Sequence, residues 1–384
     1  MTTGPWGAAP PPPSSPPAAT EPVSQYPCPA CGALLGYEPG ETQLVCPFCG
    51  ARSDIPAAAP EAAADATRER DFLTAMAEAA GDGGPALETQ LTVGCDACGA
   101  QVEFEPGAHA TRCPFCATPL VADPSSDRRI RPQALLPFAL DARQARGRVR
   151  DWLKGLWFAP SELKHYARDD GALTGIYAPF WTFDARTETA YSGQRGDSFT
   201  QTVRGPGGKP QTVTKVRWRR VSGRTARDFD DVLVFGAGAP PEDFIDRVGP
   251  WDLSALQPYG RDWLAGFRAE AYTVDLPSAW NVARVRIDAV IRGDVRRAIG
   301  GDQQRIERLD SRIEDVTFKH VLLPIWVGAY RYRGRTYRLV LNGRTGAVHG
   351  ERPWSAWKLA LAALGAIAVA GIAAAVIAAA QGMR

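Results

Sequence analysis

Eight cysteines are the residues most able to do chemistry in this chain, and their spacing is regular. Cys28-Pro-Ala-Cys31 is followed, after fourteen residues, by Cys46-Pro-Phe-Cys49. Cys95-Asp-Ala-Cys98 is followed, again after fourteen, by Cys113-Pro-Phe-Cys116. The second set lies 67 residues after the first at every cysteine, and neighbouring residues repeat too: Gly32-Ala33 as Gly99-Ala100, Glu38-Pro39-Gly40 as Glu105-Pro106-Gly107. Two residues between paired cysteines let a tight turn aim both sulfurs at one ion. Two such turns brought together by a hairpin complete a tetrahedral site of four thiolates. Four protein ligands leave no open coordination position, so the expectation is two structural Zn2+ ions in two tandem zinc ribbons. Disulfides or redox pairs are the alternative use of CxxC, and the doubled, matched spacing favours metal. Each unit is too short to bury a stable core, so metal binding should supply much of its folding energy.

Composition bounds the rest. The chain has 384 residues, a net charge of +2 and 45% hydrophobic residues. That allows one or two globular domains beside the ribbons and argues against a dedicated nucleic-acid coat. Cysteines spent on zinc imply a reducing, cytoplasmic compartment.

The elements that must carry the cysteines follow in order. Residues 1–24, rich in Pro, Ala, Ser and Thr, read as a disordered arm without the features of a signal peptide. Ribbon 1 is expected over 25–55, an Ala-rich linker over 56–88 with a short helix near Asp65 to Ala80, and ribbon 2 over 89–122. Asp123-Pro124-Ser125-Ser126 marks a boundary before an α+β domain with an antiparallel sheet over 130–350.

Within that domain, Asp141 and Gln144 resemble a capping box ahead of a helical stripe of Val149, Trp152, Leu153, Leu156 and Trp157. A further short helix is expected after Pro160. Strands are expected at 176–183, 187–191, 198–203, 211–221, 229–235, 305–318, 321–332 and 336–341, the third and fourth joined by a turn at 205–210. A helix should start at Pro277 with Val282, Val285, Ala289 and Val290 inward. Tyr177-Ala-Pro179-Phe-Trp181 is echoed by Leu323-Pro324-Ile-Trp326.

The chain then becomes wholly apolar from Leu359 to Ala380. At about 1.5 Å per residue this spans about 33 Å, close to the roughly 30 Å hydrocarbon core of a bilayer. Trp354 and Trp357 stand at its entrance with Arg352 and Lys358, as an aromatic belt and a basic cytoplasmic flank would. The expectation is a transmembrane helix over 357–380, with the bulk of the chain cytoplasmic and a short tail outside. A buried Ala-rich helix is the alternative. Its small residues also permit helix–helix packing and an oligomer.

No catalytic constellation holds. Gly208-Lys209 is followed by Pro210, so there is no phosphate-binding loop. Thr200 replaces the last Gly of a nucleophile elbow at Gly196-Asp197-Ser198. His165, His320 and His349 are isolated, and Asp230-Asp231 should face opposite sides of a strand. From 211 to 227, Lys215, Arg217, Arg219, Arg220, Arg224 and Arg227 occur with no acid. On a strand, Lys215, Arg217 and Arg219 share one face, and Val216, Trp218 and Arg220 the other. Such a ribbon can meet nucleic-acid phosphates, lipid headgroups or only solvent.

The order of these features resembles a known family. Cys-Pro-x-Cys-Gly ribbons are followed by Gly175-Ile-Tyr-Ala-Pro-Phe-Trp181, Trp263-Leu-Ala-Gly-Phe267 and Leu322-Leu-Pro-Ile-Trp326. Asn342-Gly-Arg-Thr-Gly346, Gly350-Glu-Arg-Pro353 and an apolar helix complete the series. The chain is similar, over nearly all of it beyond residue 24, to bacterial membrane-anchored transcription factor IIB-type zinc ribbon proteins, often labelled primosomal protein N′ or replication factor Y-like. Without a phosphate-binding loop the helicase label has no support here. The resemblance implies a link to phage-shock-like envelope stress, in which membrane-anchored zinc proteins recruit cytoplasmic partners. The expectation is a non-enzymatic, tail-anchored adaptor that binds a cytoplasmic protein through its ribbons. A membrane-tethered nucleic-acid-binding protein is the alternative.

Overall fold

The computed structural model describes residues 26–79, 87–103, 110–113, 115, 118–121, 125–160, 173–204, 210–333 and 335–382. The N-terminal arm, Cys116, His165, the short helix expected after Pro160 and the turn at 205–209 lie outside the described residues.

The first cysteine unit contains β1 (Gly36–Tyr37), β2 (Gln43–Val45) and β3 (Arg52–Asp54). After it come α1 (Pro60–Thr67), β4 (Arg70–Asp71) and α2 (Phe72–Ala79). The second unit contains β5 (Leu87–Gly94), β6 (Gln101–Glu103), β7 (Ala110–Arg112), β8 (Pro119–Val121) and β9 (Ser125–Ile130). The body follows with β10 (Ala134–Leu135), α3 (Ala142–Gly155), β11 (Thr174–Arg204), β12 (Pro210–Phe235) and α4 (Glu242–Val248). It is completed by β13 (Gln257–Pro258), β14 (Arg268–Ala269), α5 (Leu276–Ile299), β15 (Gln303–Tyr332), β16 (Arg335–Asn342) and β17 (Val348–Gly350). Last comes α6 (Ala356–Gly382).

Three strands dominate. β12, β11 and β15 form an antiparallel ribbon, with β11 in the middle. Seven of the eight separate short strands expected from the sequence are segments of these three, and the eighth, 336–341, is β16. Two of the gaps left between the expected strands hold β-bulges, at Asp184 and between Ser192 and Gly193, inside a continuous ladder. A bulge adds a residue without ending the pairing. At the second bulge a Cβ on Gly193 would collide with the carbonyl oxygen of Arg305, so only glycine lets the two strands close there.

The base of the ribbon is buried on both faces. One face carries Tyr177, Trp181 and Phe183, the other Ile176, Ala178 and Phe180. Burial on both sides explains the continuous apolar run, which lacks the alternation of a half-exposed strand. The two echoed Pro–Trp segments lie on neighbouring strands, with Tyr177 paired to Pro324 and Gly175 to Trp326. Each indole N–H reaches a backbone carbonyl: Trp181 donates to Val274 at 2.9 Å, and Trp326 to Leu140 at 3.1 Å.

Helix α5 lies along one face of the ribbon. Asp275 caps it, accepting from Ser278 N–H at 3.0 Å. Its buried ridge is Leu276, Ala279, Ala283, Ile287, Ile291, Val295 and Ile299. This corrects the expected inward face. Val285 and Val290 are exposed, and only Val282 of the four is part of a core cluster. The i+4 ridge wins because alanines at 279 and 283 make room for Trp181 and Phe183, which a periodicity count does not see. A helix of this length spans about 36 Å. The strand from Trp181 to Gly193, which it covers, is about 40 Å long. From Gly193 the hairpin of β11 and β12 continues for about 36 Å more. That projecting portion is the arm.

The cysteine units do not hang from a flexible linker. Tyr37 N–H donates to Ala265 O at 2.8 Å, and the Tyr37 ring meets Trp263 edge-on at 5.1 Å. Leu35, Tyr37, Leu44, Cys28 and Cys46 share a core cluster with Phe138, Tyr177 and Trp326. Val93, Cys95, Ala100, Cys113 and Phe115 share another with Phe180, Phe244 and Ile245. The linker expected over 56–88 is, in its described part, two helices flanking β4, and β4 pairs with Thr317 and Phe318 of β15. Phe72 and Ala75 are core residues of the body. The boundary expected at Asp123–Ser126 is also displaced, because β9 pairs with β5 and leads straight to buried Ile130. The body therefore takes in residues well before 130.

Helix α6 leaves this body bare. Its window Ala356–Ala375 is long and apolar enough to cross a membrane, and none of that window is buried.

Candidate metal centres and the basic arm

In the first unit the four cysteines converge. The sulfurs of Cys28, Cys31, Cys46 and Cys49 all lie within 4.8 Å of one another. Cys28 and Cys49 are 3.5 Å apart, as are Cys31 and Cys46. Tetrahedral bonds of about 2.3 Å would set sulfurs about 3.8 Å apart, so the donor set fits an ion of zinc's size. Glycines at φ 75 and 74 (Gly32 and Gly50) turn the chain directly after each CxxC pair. The Cys49 and Phe48 backbone N–H groups pull the Cys46 thiol down to about 6. Cys28 and Cys46 are buried, while Cys31 and Cys49 face solvent.

The second unit repeats this geometry where it is described. Cys95, Cys98 and Cys113 offer three sulfurs within 4.8 Å, with Cys98 and Cys113 3.6 Å apart. Cys116, the expected fourth ligand, lies outside the described residues. Two cysteine groups in the chain are thus able to hold a metal.

A second cluster was not legible in the sequence. At the Asp184 bulge, Asp231 adopts φ 52 and its N–H donates to Asp184 Oδ1 at 2.6 Å. Asp tolerates this left-handed conformation better than most residues. Asp230 and Asp231 were expected to face opposite sides. The bulge instead brings both to one site: Asp230 lies with Asp184 and Glu69, and Asp231 pairs with Lys319 at 3.2 Å. Lys319 also reaches Glu69 at 3.1 Å. Burial and the neighbouring Glu69 push the Asp184 carboxyl up to about 7. Glu69, which comes from the segment read as a linker, supplies a quarter of the acids here, and no local pattern could have placed it.

His320 and His349 each pack against an aromatic ring. His320 is buried, stacks on Trp181 at 4.7 Å and bonds Ile130 O through Nδ1 at 2.9 Å. Burial pushes it down to about 4, so it is neutral and Nδ1 carries the proton. His349 meets Phe244 edge-on at 5.1 Å.

The basic stretch sits on the arm. Between 193 and 221 there are seven basic residues and one acid, Asp197, a net +6 against +2 for the whole chain. The alternation is as expected. Towards the α5 side, Arg217 lies over Phe199 at 5.1 Å and Arg219 reaches Asp197 at 3.8 Å. On the other side Arg305 lies over Trp218 at 4.1 Å. The long strand β15 connects this region to the base of α6, because Gln303 pairs with Gly196 and Tyr332 packs with Leu153 and Leu156. Its contour length is about 100 Å.

Comparison with known proteins adds one relative. The uncharacterized protein YdjG of Bacillus subtilis (strain 168) is 24% identical over 239 residues, covering 60% of this chain. The match spans 66% of YdjG's own length, just under two thirds. No family model and no solved structure matches the chain.

Proposed function

We propose that this protein is a non-enzymatic membrane adaptor. Its two cysteine units hold structural zinc, α6 anchors it in the cell membrane, and the body presents the arm and the outer surfaces of the zinc ribbons to cytoplasmic protein partners. The observation that carries this reading is the course of β15, one strand joining the base of α6 to the basic arm. An anchor at one end raises the local concentration of whatever the other end holds. Zinc is favoured by the all-sulfur donor sets and their tetrahedral spacing. The resemblance to membrane-anchored zinc ribbon proteins points to envelope stress as the setting.

The test is affinity purification of the full chain from membranes, with metal content measured alongside. Two zinc ions per chain are expected, with one lost in Cys46→Ser/Cys49→Ser. A partner should be recovered with the wild type and lost when the arm is charge-reversed at Arg217, Arg219 and Arg220. Unchanged recovery with both the arm and the zinc units disrupted refutes the adaptor. A chain extracted by alkaline carbonate refutes the anchor.

The +6 arm favours one second reading, a membrane-tethered nucleic-acid-binding protein. A two-stranded ribbon fits the major groove of DNA, and such binding weakens steeply with salt. Absence of DNA or RNA binding at low salt removes this alternative.

A further inference from the structure

The base of α6 is bolted to a turn some 200 residues earlier in the chain. Ser355 N–H donates to Phe158 O at 2.8 Å. The Lys358 ammonium donates to Ala159 O at 2.7 Å and to Trp157 O at 3.2 Å. The Phe158 and Trp354 rings lie 6.4 Å apart. Beneath them Leu153, Leu156, Ala159 and Tyr332 form a buried cluster. The carbonyls of Trp157, Phe158 and Ala159 are thus engaged, yet the indole of Trp157 is 82% exposed. Trp354 and Trp357 are 53% and 62% exposed. Among the described residues these are the exposed tryptophans, and all three belong to this one patch. Trp181, Trp263 and Trp326, by contrast, are buried.

An indole is a large apolar surface with one polar N–H, and it is most stable where one end is dry and the other wet. Three of them, ringing the foot of a helix with the length of a bilayer, match the interfacial belt of membrane proteins. Two belong to the helix approach itself. The third is brought in by tertiary structure alone.

We infer that the turn 156–160 is a second membrane contact, with Trp157 seated at the headgroup–acyl boundary beside Trp354 and Trp357. This rests on the reading of α6 as a membrane anchor. It adds that the body is docked on the bilayer instead of swinging from a flexible stalk. Because Tyr332 lies in the cluster under this patch, docking also fixes the direction in which β15 carries the arm.

The full chain, in phosphatidylcholine nanodiscs, tests this with a photo-cross-linking residue at single exposed positions. Variants Trp157→p-benzoylphenylalanine, Trp357→p-benzoylphenylalanine and Leu73→p-benzoylphenylalanine are irradiated, and phospholipid adducts are read by intact mass. Leu73 is an exposed residue of α2, the helix whose Phe72 shares a core cluster of the body with Phe318. Adducts at 157 and 357, at least fivefold above position 73, are the expected result. An adduct at 357 with none at 157 overturns the second contact and leaves the anchor standing. No adduct at 357 overturns the anchor and the inference with it. Equal labelling at 73 and 157, or a protein cross-link in place of lipid at 157, also overturns it. Unchanged thermal unfolding of the three variants ensures that the positions are compared in the folded protein.

Discussion

Tyr37 and Phe138, 101 residues apart, are joined by a hydrogen bond of 2.9 Å from the phenol to the backbone carbonyl. The same carbonyl accepts from Gly40 N–H at 2.9 Å. The first cysteine unit is therefore tied to the core of the body, and a metal held there should report on the stability of the whole. Tyr37→Phe should cost about 1 kcal/mol, since the carbonyl keeps one partner. A strong zinc chelator should do more: it should lower the unfolding midpoint of the full chain, because Leu35, Tyr37 and Leu44 leave a shared core. Denaturant melts with and without chelator measure both. A body whose melting ignores the chelator would contradict the coupling.

The face that α5 buries is testable residue by residue. Ile291→Ala should cost about 2–5 kcal/mol, because it opens a cavity against β11 and β15. Val285→Ala should stay within about 0.5 kcal/mol, as an exposed substitution does. Equal losses at the two positions would restore the face read from the sequence.

His320 should make the fold sensitive to acid. In the unfolded chain it takes a proton near pH 6.5, and in the folded chain only near pH 4. Between those values the unfolded state holds more protons, so stability falls as pH drops from about 6.5 to about 4. The full loss is on the order of 3 kcal/mol. His320→Asn, which retains a donor towards Ile130 O, should flatten this slope in melts taken across the window.

Asp184 works in the opposite sense. Its folded pKa is raised to about 7 by burial and by Glu69, so the folded state holds the extra proton. Its stabilising contribution is present below the ordinary aspartate pKa and is lost as pH rises through about 7. Glu69, Asp230, Asp231 and Lys319 all face this carboxyl. Asp184→Asn keeps the acceptor for Asp231 N–H and removes the titration. The variant should gain stability relative to wild type as pH goes from 5 to 8. A constant difference across that range would show that Asp184 is ionised throughout.

The cysteine groups able to hold a metal, the capping box at Asp141, the helix beginning near Pro277 and the apolar α6 were all legible in sequence. Each is set by short-range chemistry: sulfur spacing, a side chain capping its own helix, or an unbroken apolar run. Capping at Asp141 is realised with Gln144 N–H donating at 2.7 Å. What sequence could not decide was where strands end. Asp184 and Ser192 fall between the expected strands, and they become bulges because the partner strands continue past them and keep the ladder paired. Nor could it decide which helix face is inward, since that depends on Trp181 and Phe183 pressing on Ala279 and Ala283. The docking of both cysteine units, the gathering of Glu69 with Asp184 and Lys319, and the meeting of Trp157 with Lys358 are long-range. They depend on burial summed over surfaces that only the folded chain brings together. Local pattern was enough for the cysteine groups, the long apolar helix and the charge of the arm. Tertiary structure alone decided that these parts form one connected body, because contacts between distant segments leave no periodicity in the chain that makes them.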